Sequence, residues 1–502
     1  MGKRSSTASM AIPDELAHSN RVETDVGTPD VVGTDRVREP RASSPMDRRR
    51  VLALAIPIIG ENFLQTLVGT ADTVMVTRLG KEEVAGVGTS LEFIFFILAA
   101  LSAVSIGATV LVSQATGAGD HSLVNRYARQ AIVWGVIAAI PVSIAGFFLA
   151  GPAIGLFGAE EEVTRHGATY LQITAGTCVV LLLTFVCGAI FRGVGDSKTP
   201  LLAASVANVV NIVAAWLLIF GKFGFPELGV AGSAWGAAIG RTVGAAILLT
   251  LLVHGRANVS LRGKLGWWPE PGTAKRLMRL GVPAALEQML MSGGFVCMIA
   301  VVALLGTAEL AAQQIGFTAL SMAFLPGFGF AIAATALVGQ SVGAKNLADA
   351  RDAARIAMNW SIGWMTVGGL IYFIIARPVM DAFSNDPEVI NAGVNALRAL
   401  SIGLPFWAIW AVNGGALRGS GDTRTPMISS AIAVWLAVGL AWVAVVILNM
   451  GLGAVWLTFF ISAPIAAFYN LRVLRRRLAP NSTLLSEIAI GDTAPIVMSG
   501  AH

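Results

Sequence analysis

Residues 57–200 of this 502-residue chain align without a gap on residues 283–426, at a constant offset of 226. Arg192-Gly193-Val194-Gly195-Asp196-Ser197-Lys198-Thr199-Pro200 returns as Arg418-Gly419-Ser420-Gly421-Asp422-Thr423-Arg424-Thr425-Pro426. The same register pairs Pro57 with Pro283, Glu61 with Glu287, Leu79-Gly80 with Leu305-Gly306, Gln114 with Gln340 and Phe157 with Phe383. Two such halves must fold alike and pack against each other. In an apolar chain that organisation fits a two-lobed transporter, with its working cavity between the lobes.

The chain is apolar enough for lipid. Hydrophobic residues make up 55% of it and charged residues 13%. Stretches of about 20 apolar residues recur between short polar breaks, the length that crosses a bilayer as helix. Ten-residue alternating strands and Asn-Gly hairpins are missing from the sequence, which disfavours a barrel. The 55 glycines and many alanines suit close helix packing inside a bilayer. Cys178, Cys187 and Cys297 fall inside apolar stretches without ligand spacing around them, and read as small packing residues.

Twelve spans are expected, at 51–77, 86–112, 127–150, 167–190, 200–221, 229–253, 278–304, 311–338, 353–375, 392–416, 426–449 and 452–472. The expected fold is an all-α integral membrane protein, with twelve transmembrane helices in two six-helix lobes. An even number of spans per half gives both halves one topology, so the axis relating them is a pseudo-twofold along the membrane normal. The expected division is a disordered tail over 1–50, an N-terminal lobe over 51–254, a connector over 255–276, a C-terminal lobe over 277–477 and a tail over 478–502. Segments on one side carry Arg126, Arg129, Arg192, Lys198, Arg256, Arg351, Arg355, Arg418, Arg424 and Arg475-Arg476-Arg477; those on the other carry Glu82-Glu83, Glu160-Glu161-Glu162, Glu309, Asp381 and Glu388. Positive charge favours the cytoplasm, so both termini are expected there, in the inner or plasma membrane of the cell. The net charge of +5 therefore reports membrane orientation and anionic headgroups, not nucleic acid.

Charge inside a span is where chemistry is sought. The first span holds Glu61, Gln65 and Asp72 in otherwise apolar sequence. A carboxylate at mid-membrane costs about 2.5–3.5 kcal/mol on insertion scales, so function is the default explanation. Glu61 and Asp72 lie about 20° apart around the helix and about 16 Å along it. Such carboxylates can exchange a proton, or trade it for Na⁺ held by nearby amide and hydroxyl oxygens. A position near the interface, or a packing role between helices, is the alternative. Asn208 and Asn211 share a face of the fifth span; they either bond a neighbouring helix or, facing Asp72, share its proton or help hold Na⁺ at Asp72 and Asn211. The second half has Glu287 and Gln288 at the places of Glu61 and Asn62, but Met291 and Met298 at those of Gln65 and Asp72. Gln313, Gln314 and Asn413 add uncharged polar groups there. Cation chemistry is thus expected in the first lobe. Trp407, Met291 and other aromatic residues of the second lobe serve as core or interface anchors, or line a pocket for flat cationic molecules.

The repeated Arg-Gly-x-Gly-Asp-x-x-Thr-Pro turn lacks the Gly-Lys-Ser/Thr ending and preceding strand of a phosphate loop. Thr199 and Thr425 are expected to cap the following helices, with Pro200 and Pro426 at their first positions.

These turns, the duplicated six-span halves, Val68-Gly69-Thr70-Ala71-Asp72-Thr73-Val74-Met75-Val76, Ala311-Ala312-Gln313-Gln314-Ile315 and Val338-Gly339-Gln340 resemble the MATE (multidrug and toxic compound extrusion) transporters over residues 51–475. The resemblance implies a secondary antiporter, not an enzyme. It would export small lipophilic or cationic compounds by alternating access, coupled to entry of H⁺ or Na⁺ and needing no cofactor. It places the key acid at Asp72 and a partner amide at Asn211. Two departures from the family pattern are Ala215 and Met291, where relatives carry acids. The chain is expected to act as a monomer among membrane lipids. A lipid-linked oligosaccharide flippase is the alternative; it would want a basic central cavity, whereas nearly all Lys and Arg lie at span ends.

Overall fold

The computed structural model describes residues 46–155, 160–263 and 266–485. Phe157, Lys264, residues 1–45 of the polar N-terminal stretch and residues 486–502 of the C-terminal one lie outside the described residues.

Among the described residues the structure is helical throughout. The first half contains α1 (Arg48–Thr77), α2 (Lys81–Gly117), α3 (His121–Gly155), α4 (Glu161–Gly176), α5 (Cys178–Val194), α6 (Lys198–Phe220) and α7 (Val230–Val253). The second contains α8 (Pro271–Ala303), α9 (Thr307–Gly343), α10 (Leu347–Ile374), α11 (Ala376–Phe383), α12 (Pro387–Gly419), α13 (Arg424–Trp442) and α14 (Leu452–Arg477). Ten spans are continuous, α13 running on through a π-helical turn to Ile447, and two more are bent pairs, which makes twelve. α4 and α5 meet at 50°, where the Thr177 hydroxyl donates to the carbonyls of Ile173 and Thr174. Such back-bonding competes with the helix ladder. α10 and α11 meet at 68°, just before Pro378, which has no N–H to give the carbonyl of Ile374. The fold is thus the expected twelve-helix membrane protein with two pseudo-symmetric lobes.

The duplication is written into side-chain contacts. Arg192 of α5 donates to Glu61 of α1 at 3.1 Å, and Arg418 of α12 donates to Glu287 of α8 at 2.9 Å. Both pairs tie a lobe's first span to the end of its fourth, and all four side chains are mostly buried. Ser430 adds a hydrogen bond to Glu287 at 2.7 Å. Removing one partner of such a pair strands a charge, whereas removing both does not. Arg418→Gln should therefore cost about 3 kcal/mol in thermal unfolding of the detergent-solubilised protein. Adding Glu287→Gln should recover most of that loss, and a double variant no more stable than the single one would contradict the pairing.

The repeated turn differs from expectation in detail. Asp196, not Thr199, caps α6: its carboxylate accepts from the backbone of Lys198 and Thr199 and from the Thr199 hydroxyl. Asp422 does the same for α13 through Thr425. A carboxylate can take backbone and hydroxyl donors together, and its charge suits a helix start. Pro200 is the third residue of α6 rather than the first, still within the turn that needs no N–H partner.

The lobes join at the face bearing these turns. Gln114 of α2 donates across to the Gly419 carbonyl at 3.1 Å, and Gln340 of α9 donates back to the Gly193 carbonyl at 2.8 Å. Gly117 and Gly343 permit the crossing, because a Cβ on either would overlap the backbone carbonyl of Gln340 or Gln114 respectively. Arg50–Gln340 and Arg276–Tyr127 hydrogen bonds add to the same end. We call this the turn face; it is sealed.

Candidate functional site

Asp72 sits five residues before the end of α1, towards the face opposite the sealed one. Its carboxylate accepts a 2.7 Å hydrogen bond from Ser233 of α7. Tyr170 of α4, almost fully buried, and Arg241 of α7 lie within electrostatic reach of the same carboxylate. Four polar side chains from three helices thus gather in one region of an apolar lobe.

The sequence of α7 explains how they meet. Gly232, Gly236, Gly240 and Gly244 recur every four residues, forming one bare stripe. α6 lies in that stripe: a Cβ on Gly236 would meet Ala215, one on Gly240 would meet Ala207 and Asn211, and one on Gly232 would meet Leu218 and Ile219. Small-residue stripes let helices approach closely in lipid. The adjoining stripe, one residue on, carries Ser233 and Arg241, eight residues apart and so about 12 Å. Close packing of α6 on α7 therefore fixes the stripe that faces Asp72 and Tyr170.

The expected residues separate into distinct places. Glu61 is held by Arg192, and Gln65 is exposed on α1. No hydrogen bond joins Asp72 to Asn208 or Asn211 among the described residues; Asn211 packs against Gly240, one residue from Arg241, and the Asn208 amide nitrogen is buried without a partner. In the second lobe Glu287 is taken by Arg418 and Ser430, Gln288 and Gln314 are exposed, and Gln313 is buried. Asn413 is buried on α12, facing α10 and α14. Met291 and Trp407 belong to the core: Trp407 packs at tilted and edge-on angles among Phe324, Trp410 and Phe459, at 4.8–5.6 Å between ring centroids. At the repeat positions of Asp72 and Tyr170 stand Met298 and Ala396, both buried. The second lobe has replaced the polar cluster with packing.

Sequence reasoning passed over Tyr170, Ser233 and Arg241. Arg241 carried a signal, as the one ionised residue within the apolar run 230–253. Tyr170 and Ser233 carried none.

A cavity of about 280 Å³ lies between the end of α1 and the starts of α2, α4 and α7, lined by Leu79, Glu83, His166, Thr169 and Gly229-Val230-Ala231 among others. Thr169 precedes Tyr170 directly, and Ala231 is two residues from Ser233.

A sequence model of the MatE family matches residues 57–217 and 283–443, the same 226-residue register. A probable multidrug resistance protein NorM from Thermotoga maritima is 32% identical over 83% of this chain and 90% of its own. The uncharacterized transporter YisQ of Bacillus subtilis is 26% identical over 85% and 94%. Among solved structures, a MOP superfamily transporter from Pyrococcus furiosus superposes with a TM-score of 0.81 at 22% identity, covering 87% of this chain and 96% of that one. At that identity the likeness speaks for the fold.

Proposed function

The chain belongs to the MatE family of multi-pass membrane transporters, and on that premise we propose that it exports lipophilic organic cations, drugs among them, in exchange for protons that enter through Asp72. Names given to relatives, such as multidrug resistance protein, support the substrate class. The observation that carries the coupling is the shared carboxylate: Asp72 accepts from Ser233 and lies in the field of Tyr170 and Arg241, and the second lobe has Met298 at its repeat position.

Ionised Asp72 offsets the charge of Arg241 and holds α1 to α4 and α7. Protonation leaves the guanidinium without its counter-ion and removes acceptor capacity from the Tyr170 and Ser233 hydroxyls. The two protonation states therefore favour different arrangements of the three helices, which is what a coupling site must do. Protons reach Asp72 through the cavity beside Glu83 and His166, while the turn face, rich in Arg, lies in the cytoplasm. In this arrangement the described state is closed to the cytoplasm, and transport requires the seal at Gln114 and Gln340 to open. Glu61 and Glu287 act as structural ties, and one chain in the cell membrane is the working unit.

The test is efflux of a fluorescent lipophilic cation from proteoliposomes under an imposed ΔpH or an imposed ΔpNa. Efflux should follow ΔpH, with ΔpNa alone giving the rate of empty liposomes. Efflux driven by ΔpNa at constant pH would overturn the proton assignment.

A further inference from the structure

A second cavity plays no part in that mechanism. It measures about 780 Å³ and lies at the turn face of the second lobe, between α10, α12 and α14. Arg351 and Arg355 of α10 and Arg475 of α14 line it, with Asp352 as the one acid, so three positive charges against one negative leave a net of two. Asn359 and Asn413 add amides, while Met358, Leu471, Leu474 and Leu478 supply an apolar wall. The Asn413 amide nitrogen is buried and has no hydrogen-bond partner, although the side chain is only 1% exposed. Asn470, beside Leu471, is buried with both side-chain polar atoms unpartnered. Buried amides without partners are costly, and a cavity that keeps them beside three arginines is built for something that accepts hydrogen bonds.

The first lobe shows what its counterpart does. At the repeat positions of Arg351 and Arg355 stand Asn125 and Arg129. Asn125 accepts from the backbone of Ser260 at 2.7 Å, and Arg129 donates to the carbonyls of Arg262 and Ser260. Gln130 donates to the carbonyls of Gly266 and Trp268, and Arg126 pairs with Glu270 at 2.8 Å. Val259 and Leu261 are buried against Val124 and Ala128. The chain between the lobes thus fills the first-lobe notch, supplying acceptors to its polar groups and apolar side chains to its wall. In the second lobe Cys187 has become Asn413, another arginine has been added, and the space is open.

We propose that this cavity binds the phosphodiester headgroup of an anionic phospholipid from the leaflet at the turn face. Phosphate oxygens would take the place that backbone carbonyls hold in the first lobe, accepting from Arg351, Arg355, Arg475 and Asn413. The Met and Leu wall accommodates the glycerol and the first acyl carbons. Trp360, exposed beside Asn359, is of the type that marks headgroup level. Charge complementarity and the amphipathic lining favour this occupant over an uncharged lipid.

The test uses the full chain, delipidated and then exposed to equal dioleoyl-phosphatidylglycerol and dioleoyl-phosphatidylcholine, with retained lipid read by native mass spectrometry. The wild type should retain phosphatidylglycerol in preference. The preference should fall about fivefold for each of Arg351→Gln and Arg355→Gln. Asn413→Leu should lower phosphatidylglycerol retention without changing the charge, and melting curves in phosphatidylcholine nanodiscs verify that the variants are folded. Equal retention of both lipids by the wild type would overturn the proposal, as would a preference unchanged in the double arginine variant. Protection from unfolding by inorganic phosphate equal to that by phosphatidylglycerol would also overturn it, assigning the site to a soluble anion. So would a lipid preference that emerges only after removal of residues 486–502, because the chain's own end, which carries Glu487 and Asp492, would then be the occupant.

Discussion

Asp72→Asn should lower proton-driven efflux by at least about 100-fold while leaving the protein folded and inserted. The estimate follows from what the substitution removes. Asparagine keeps the volume and one acceptor for Ser233, so the helix contacts made through the 2.7 Å hydrogen bond survive. It cannot bind and release a proton, and it leaves Arg241 without a counter-charge in every state. A cycle that needs two protonation states then has one. Loss of about 3 kcal/mol of differential stabilisation between the two lobe arrangements corresponds to roughly a factor of 100 in population. Tyr170→Phe should do less, because it deletes one donor and no charge, and a reduction of about tenfold is expected. Efflux assays on reconstituted variants, normalised to the inserted protein, separate these outcomes. An Asp72→Asn variant that pumps at half the wild-type rate would remove Asp72 from the mechanism.

The second large effect is expected at the seal. Gly117→Val or Gly343→Val should arrest transport with the turn face held open. A Cβ at either position would overlap the backbone of Gln340 or Gln114, so the described closure cannot form around it. The overlap lies between lobes, not within one, and each lobe can fold undisturbed. Cross-linking of a cysteine pair placed across the seal should fall by about tenfold or more in these variants, since valine removes the state that brings the pair together. Gln114→Ala with Gln340→Ala removes three cross-lobe hydrogen bonds, that from Arg50 included, and should shift the balance without forbidding the closed state, by about fivefold for each bond at about 1 kcal/mol. Wild-type efflux from Gly117→Val would mean that transport does not pass through the closed turn face.

What the sequence disclosed followed from which properties are local. Span positions depend on apolar length, so twelve stretches were visible, and helices such as α2 and α9 extend beyond them by several residues at each end. The bends at Thr177 and Pro378 were not foreseen, since a span broken in the middle has the same hydropathy as a straight one. The two-lobe symmetry was legible because the repeat keeps one register, and the reciprocal bonds of Gln114 and Gln340 are that register made physical. Distant pairings were not legible. Glu61 looked like part of a stripe with Gln65 and Asp72, yet its partner Arg192 lies 131 residues on and comes within 3.1 Å only through folding. That both Glu61 and Arg192 recur at the 226-residue offset was the hint, and Glu287 with Arg418 completes it. Composition alone left Trp407 open between core, interface anchor and pocket wall; its neighbours Phe324 and Phe459 come from other helices and enclose it. Asp72 stood out because an acid deep in an apolar span is costly wherever it points. Its partners did not, because a serine and a tyrosine in a membrane helix are common.

The central claim is that one carboxylate trades a proton for transport. Binding of tetraphenylphosphonium to the purified protein in weakly buffered detergent should release close to one proton per cation bound, read with a pH-sensitive dye. The Asp72→Asn protein should bind the cation and release none. Equal proton release from the wild type and from Asp72→Asn would contradict the account.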